Sequence, residues 1–246
     1  MQLRYLFFLV LILGMFSCKK DTVEVQVNFR LTYDGEPLVM LKKYQYPDGK
    51  SIFFNRFSFF LSNVSLTGDG ISKSSEGAEM LNFTNVNSSE ASAQNGLSFT
   101  LKEVEQGTYT NFSFCVGVPA DLNAKKPSDF GNDSDLSTIS EYWEPWKSFI
   151  FSRTEGFVDL DGDGTEEKGF ALHTGGDAAL ICLDAADNFT VTEEANEIVI
   201  NIDLKKLFGE TKVYDIAANP QIHSLTQTPQ VKELADNLAK AFSLVR

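Results

Sequence analysis

Alternating acidic residues mark the stretch VDLDGDGTEEKGFALHTGG, residues 158–176. Asp159, Asp161 and Asp163 fall at every second position, and Gly164 follows them. Carboxylates at this spacing can converge on one hard cation, and the glycine permits the sharp turn that a calcium loop requires. The pattern therefore indicates a calcium site formed by the three aspartates.

The same stretch is also typical of a hairpin tip. An EF-hand loop has a bidentate glutamate at its twelfth position, where this sequence has Phe170. The flanking residues are strand-like rather than helical, and Asp and Gly are good turn formers. Because Glu155 or Glu167 could complete a cation site, calcium binding and a plain turn both stay open as interpretations.

The chain contains only two histidines, His173 and His223, separated by 50 positions. Each is a candidate metal ligand, although a lone histidine on a strand is more often a hydrogen-bonded structural residue. Two tryptophans, Trp143 and Trp146, lie in EYWEPWKSFIF, just upstream of the acidic stretch. They could fill the core or form a partly exposed aromatic cluster. Any chemistry shared by these distant residues depends on the fold.

The overall composition argues against two large classes of function. The formal net charge is −13 and the estimated pI is near 4.6, so the chain offers no basic face for nucleic acid. The sequence also lacks the Gly-x-Ser-x-Gly, Walker, GxGxxG and His-Glu-x-x-His motifs of common enzyme classes. We therefore expect a non-enzyme that does not bind nucleic acid.

The first residues, MQLRYLFFLVLILGMFSCKKD, resemble a bacterial lipoprotein signal. Their apolar run is shorter than the roughly 20 residues that a membrane-spanning helix needs, but it suits the core of a signal peptide. The prediction is a signal peptide over residues 1–17, lipidation of Cys18, and a mature domain over residues 19–246. Such a protein would be anchored by lipid in the cell envelope, at the outer membrane, on its periplasmic or surface face.

Period-two alternation of apolar residues dominates the rest of the chain and is typical of half-buried strands. VEVQVNFRL, for example, places Val23, Val25, Val27, Phe29 and Leu31 on one face. At least seven such runs, separated by Asp-Gly and Gly-containing turns, predict an all-β fold, a single antiparallel β-sandwich. Most of the 21 phenylalanines of the full sequence would then fill its interior.

Two segments depart from the strand pattern. Residues 119–141 are polar and rich in turn-forming types, and connections of this length inside a compact domain are often functional. Near the end of the chain, Pro229 is followed by Val231, Leu234 and Leu238 at helical spacing. This pattern predicts a C-terminal amphipathic helix packed on the sandwich.

Two cysteines remain in the predicted mature domain, Cys115 and Cys182. In the oxidising cell envelope they could form a disulfide. Both lie in apolar, strand-like surroundings, where buried free thiols are equally reasonable. The sequence leaves these two alternatives open.

Several motifs, in their order and spacing, resemble the MbnP-like family, the methanobactin-associated copper-binding proteins of bacterial envelopes. The run FNRFSFFLSNVSL is similar to an early strand of that family, and FCVGVP, YWEPWKSFIFSRTEG, GFALHTGG, INIDLKKLF and DIAANPQIHS follow in the family's order. The resemblance spans about residues 23–244, and its character is that of a lipoprotein member from Bacteroidetes-type bacteria. It implies a β-sandwich that binds copper.

The resemblance also implies roles for individual residues. Copper-binding members of the family hold Cu(I) with histidines, which correspond here to His173 and His223, and imidazole is a suitable copper ligand. A tryptophan in those members is oxidised to kynurenine by a di-haem, peroxidase-like partner enzyme. Trp143 occupies the first tryptophan position of that motif, whereas Pro145 stands at the second and Trp146 follows one step later.

Two functions therefore compete at the level of sequence. The first is an envelope lipoprotein that binds Cu(I) through its two histidines for copper uptake or homeostasis. The second is a non-catalytic, calcium-stabilised β-sandwich that acts as a binding or adhesion module for a glycan or protein partner. Adjacent imidazoles would favour the first, and outward-facing, coplanar Trp143 and Trp146 indoles would favour the second.

Overall fold

The alternating apolar runs of the sequence form strands in a computed structural model, which describes residues 21–194 and 196–245. In chain order the strands are β1 (Thr22–Tyr33), β2 (Glu36–Pro37), β3 (Lys43–Gln45), β4 (Ser51–Gly68), β5 (Ile71–Ser74), β6 (Ala78–Asn82), β7 (Leu97–Glu105), β8 (Gly107–Val116), β9 (Tyr142–Trp143), β10 (Ser148–Val158), β11 (Lys168–Gly175), β12 (Ile181–Val191), β13 (Asn196–Asp203), β14 (Gln221–Ile222) and β15 (Phe242–Leu244). The helices are α1 (Glu90–Asn95), α2 (Ala120–Asn123) and α3 (Thr228–Ala241).

The smaller of the two main sheets is built around β1. Its strand order is β15-β13-β1-β2, and β7 also pairs with β1. The pairing of β1 with β13 is parallel, with Val27 opposite Ile198 and Phe29 opposite Ile200. The expectation of a purely antiparallel sandwich therefore needs this correction. No hairpin joins β1 to β13, because the strands of the other sheet lie between them in sequence, so chain connectivity does not fix their relative direction.

The larger sheet carries the candidate site. Its strand order is β12-β8-β4-β10-β11-β14, and β3, β5 and β6 pair with the long strand β4. Neighbouring strands in this sheet are antiparallel except for β11 and β14, which run parallel. This second parallel pair is also absent from the sequence-based expectation, and it forms part of the candidate site.

The two sheets face each other across a core that is rich in phenylalanine. Phe29 of the smaller sheet contacts Phe59 and Phe114 of the larger sheet edge-on, with ring centroids 5.9 and 5.5 Å apart. Edge-to-face packing suits the aromatic quadrupole and adds to the free energy gained by burying the rings. The all-β sandwich predicted from the sequence is thus confirmed.

Helix α3 covers one part of the sandwich. Its apolar face buries Val231, Leu234 and Leu238, and the helix packs against a 3-10 turn at Leu204–Phe208 and against β11. Pro229 lies in its first turn, where a missing backbone N–H costs nothing. The predicted C-terminal amphipathic helix is confirmed. Among the described residues no helix has the length and apolar character needed to cross a membrane.

Cys115 and Cys182 are joined by a disulfide in the structure. They are directly opposite each other in the register of β8 and β12, so the bond links neighbouring strands of the larger sheet. Cys115 is buried and Cys182 is exposed. Of the two alternatives left by the sequence, the structure has the bond rather than free thiols. The predicted signal peptide and Cys18 lie outside the described residues.

Candidate metal site

Parallel pairing of β11 with β14 brings the two histidines together. Leu172 is opposite Ile222 in this register, and both side chains are buried. Because side chains alternate between the faces of a sheet, the next residue on β11, His173, and the residue directly after β14, His223, lie together on the outer face. Their ring centroids are 5.8 Å apart. The structure thus places both predicted ligands at one point despite their distance in sequence.

His173 lies in a charged and mostly buried environment. Its Nε2 is 2.8 Å from Oε1 of Glu155, and Arg153 is its neighbour across the strand pair. Burial lowers the pKa of His173, and the hydrogen bond to Glu155 only partly opposes this effect. The same hydrogen bond lowers the pKa of Glu155. At neutral pH the pair is therefore a neutral imidazole beside a carboxylate, and neutral imidazole is the form that binds metal ions.

Trp143 lies beside the second histidine. Its indole Nε1 donates a hydrogen bond of 3.0 Å to the backbone carbonyl of His223, and the two ring centroids are 5.9 Å apart. The backbone N–H of His223 donates to Oε1 of Gln227, the residue directly before α3. These bonds hold the segment that carries His223 against the aromatic ring.

Trp146 takes a different position. It packs on β11 at Gly175, where an added Cβ would come within 2.8 Å of indole Cε3, so glycine permits this close approach. Trp146 also lines a cavity of about 160 Å³ together with Ser224 and Val231. Both indoles are half-buried and packed on the protein. They therefore do not form the outward, coplanar platform expected of a sugar-binding surface.

A buried ionic cluster, which sequence reasoning missed, lies next to the histidines. The carboxylate of Glu141 accepts hydrogen bonds from Arg56 Nη2 at 3.1 Å and from Arg153 Nε at 2.8 Å. Glu141 ends the irregular segment 119–141, whereas the arginines belong to β4 and β10. The cluster therefore fastens this segment to the outer face of the larger sheet, two residues before Trp143. The only sequence signal was the presence of arginines within phenylalanine-rich strands.

The other end of the irregular segment is also fixed to the sheet. The side-chain oxygen of Asn123 accepts hydrogen bonds from Ser148 Oγ and from the backbone N–H of Phe149, at 3.0 and 2.9 Å. Its amide nitrogen donates to Asp177 at 2.9 Å. Because Asn123 is buried, these bonds are shielded from water. The segment is thus anchored at both ends, in a position that supports the candidate site.

The acidic stretch forms the connection between β10 and β11. Asp159, Asp161, Asp163 and Glu167 each offer a carboxylate oxygen, and these oxygens all lie within 4.8 Å of one another. Glu167, not Glu155, is therefore the fourth carboxylate of this cluster. Each of the four also accepts a backbone N–H from the loop itself, as a hairpin tip would require.

Comparison with known proteins gives a consistent assignment. Among curated proteins none matches this chain significantly. The solved structure of MbnP from Methylosinus trichosporium is similar, with a TM-score of 0.56 and 13% sequence identity over 79% of this chain and 80% of that chain. At this identity the likeness shows the fold alone. The sequence model of the MbnP family matches residues 22–224, a range that contains both histidines. The chain therefore belongs to the MbnP family.

Proposed function

We propose that this protein binds Cu(I) through His173 and His223. Membership of the MbnP family suggests a copper-related role for the chain. The observation that carries the proposal is the separation of the two imidazole centroids, 5.8 Å. Two metal–nitrogen bonds of about 2 Å each would place two rings that share one ion roughly this far apart. The spacing of the imidazoles therefore fits a single shared ion.

The donor atoms favour copper in its reduced state. Imidazole nitrogen suits copper, and a site with two such donors supports the low coordination number that Cu(I) accepts. The nearest carboxylate, Glu155, is already hydrogen-bonded to His173. The surrounding charges of Arg56, Arg153, Glu141 and Glu155 balance one another in formal sum. A monovalent ion therefore leaves less uncompensated charge in this partly buried site than a divalent ion would.

The wider biological role follows as part of the same proposal. An envelope lipoprotein with one Cu(I) site would take part in copper uptake or homeostasis. Trp143 is the better of the two tryptophans for oxidation by a di-haem, peroxidase-like partner, because its ring lies beside His223. Trp146 packs instead on Gly175. The proposal includes no catalytic activity.

A competition assay with a chromogenic Cu(I) chelator tests the proposal. We expect the mature domain to retain one Cu(I) per chain against the chelator, because two preorganised imidazoles bind more tightly than a flexible pair. X-ray absorption of the loaded protein should show nitrogen neighbours at about 2 Å. Transfer of all copper to the chelator at equal concentrations would contradict the proposal.

Calcium binding by the acidic stretch is a second candidate function, supported by the convergence of Glu167 with the three aspartates. The positively charged side chain of Lys43 already lies at this loop, since its Nζ is 2.9 Å from the carbonyl oxygen of Gly164 and 2.8 Å from the carboxylate of Glu166. This ammonium group lowers the local negative charge. Any calcium affinity would therefore be weak, as in extracellular modules, and would serve the alternative role of a stabilised binding or adhesion module.

Calorimetric titration of the mature domain with calcium checks this second candidate. We expect a dissociation constant on the order of 0.1–1 mM and its loss in an Asp161→Asn, Asp163→Asn double variant. The same variant should keep its Cu(I) affinity, because the carboxylates of Asp161 and Asp163 accept their hydrogen bonds from the loop itself. A titration without heat at millimolar calcium would remove calcium from consideration.

A further inference from the structure

We propose that Glu155 is the positioning residue of the copper site: it holds His173 by Nε2 and leaves Nδ1 as the nitrogen that binds Cu(I). The proposal rests on the Cu(I)-binding function proposed above and deepens it. It assigns a role to a residue that sequence reasoning placed with the acidic stretch. It also assigns the ligand atom on one of the two histidines.

The hydrogen bond between these residues fixes the protonation of the ring. Nε2 of His173 and Oε1 of Glu155 are 2.8 Å apart. An ionised carboxylate only accepts hydrogen bonds, so the hydrogen must reside on Nε2. A neutral imidazole carries one N–H, and its other nitrogen then presents a lone pair. In this tautomer Nδ1 is the free donor for a metal ion.

The carboxylate is itself held in place by its strand neighbours. Arg153, two positions earlier on the same face of β10, has its Nη1 4.0 Å from the Oε1 that meets His173. Arg153 is fixed in turn by Glu141. The guanidinium group of Arg153 and the imidazole of His173 thus both lie at Oε1 of Glu155, so this oxygen has a positively charged neighbour as well as its histidine partner.

A local irregularity of the sheet lies directly after Glu155. The register of β10 against β4 shifts between Glu155 and Gly156, as at a β-bulge. Bulges bend a strand and redirect the side chain beside them. Gly156 is required here because an added Cβ would overlap the carbonyl oxygen of Phe53. The backbone therefore contributes to the position of this carboxylate.

Carboxylate–histidine–metal arrangements raise the basicity of the ligand and fix its orientation, and removal of the outer partner typically weakens metal binding 10–100-fold. Without Glu155 the His173 ring would sample both tautomers and turn about its χ2 axis. A fraction of the molecules would then present a hydrogen instead of a lone pair to copper. We expect the same 10–100-fold weakening in a Glu155→Ala variant.

Nitrogen-15 NMR of the metal-free protein tests the first half of the proposal directly. With only two histidines in the chain, both imidazole spin systems can be assigned by single substitution. We expect His173 to be the Nε2–H tautomer in the wild type and a tautomeric mixture in Glu155→Ala. Glu155→Gln, which retains a hydrogen-bond acceptor at the same distance, should restore most of the wild-type tautomer and of the Cu(I) affinity.

Glu167→Ala is the matched control, because it removes the same side chain from the acidic stretch. It should leave both the tautomer and the Cu(I) affinity unchanged. An Nδ1–H tautomer of His173 in the wild type, or equal Cu(I) affinity of the wild type and Glu155→Ala, would overturn the proposal. If the wild type shows the Nε2–H tautomer but retains no copper, the function proposed above fails, and with it the assignment of Nδ1 as a ligand.

Discussion

A variant with alanine in place of both His173 and His223 is expected to lose Cu(I) affinity by on the order of 1,000-fold, equivalent to about 4 kcal/mol. The two imidazoles are the nitrogen donors that the structure brings together, and the groups hydrogen-bonded beside them in the described chain include the carboxylate of Glu155 and the backbone carbonyl of His223. Such oxygen donors suit hard cations rather than Cu(I). Competition with a chromogenic chelator at fixed free Cu(I) measures the change.

The single variants make this result more informative. His173→Ala and His223→Ala should each lose most of the affinity, because one remaining imidazole cannot hold the ion between two donors. Their combined effect should therefore be smaller than the sum of the two single effects, as expected for residues that act on one ligand. Near-wild-type affinity in the double variant would end the assignment of the site. Unchanged circular dichroism would show that the loss does not come from unfolding.

The sequence was sufficient to predict the β-sandwich because the alternation of apolar and polar residues that marks each strand is a local pattern. Val25, Val27, Phe29 and Leu31 alternate along β1 and are all buried in the structure. The parallel pairing of β1 with β13 could not be predicted from that pattern. Side-chain alternation is the same for parallel and antiparallel partners, and the two strands are far apart in sequence. Strand existence is encoded locally, whereas strand partners depend on the whole chain.

The same distinction applies to the candidate site. The order of motifs pointed to His173 and His223, but their contact depends on the register of β11 and β14, which no local pattern encodes. Glu155 and Glu141 were not predicted as neighbours of the histidines. Glu155 reads in sequence as a possible calcium ligand and Glu141 as an ordinary polar position, and each gains its role from a partner on another strand.

Replacement of Glu141 by alanine is expected to lower the free energy of unfolding by about 2–4 kcal/mol. Its carboxylate is 10% exposed and pairs with Arg153, which is 11% exposed, and with Arg56, which is 28% exposed. Removal of one partner from a buried ionic cluster leaves the remaining charges without compensation and typically costs 3–5 kcal/mol. The partial exposure of Arg56 reduces this cost. Urea unfolding followed by circular dichroism measures the effect.

Glu144→Ala provides the matched control, since Glu144 follows Glu141 by three positions and also pairs with a cation. Both it and its partner Lys126 are more than half exposed, so we expect this variant to lose less than about 1 kcal/mol. Equal losses in the two variants would show that burial of the Glu141 cluster contributes nothing. The Glu141 variant should also weaken Cu(I) binding, because Arg153, freed from Glu141, could draw Glu155 away from His173. The carboxylate that fastens the irregular segment would then also determine, through Arg153, the ring orientation of a copper ligand.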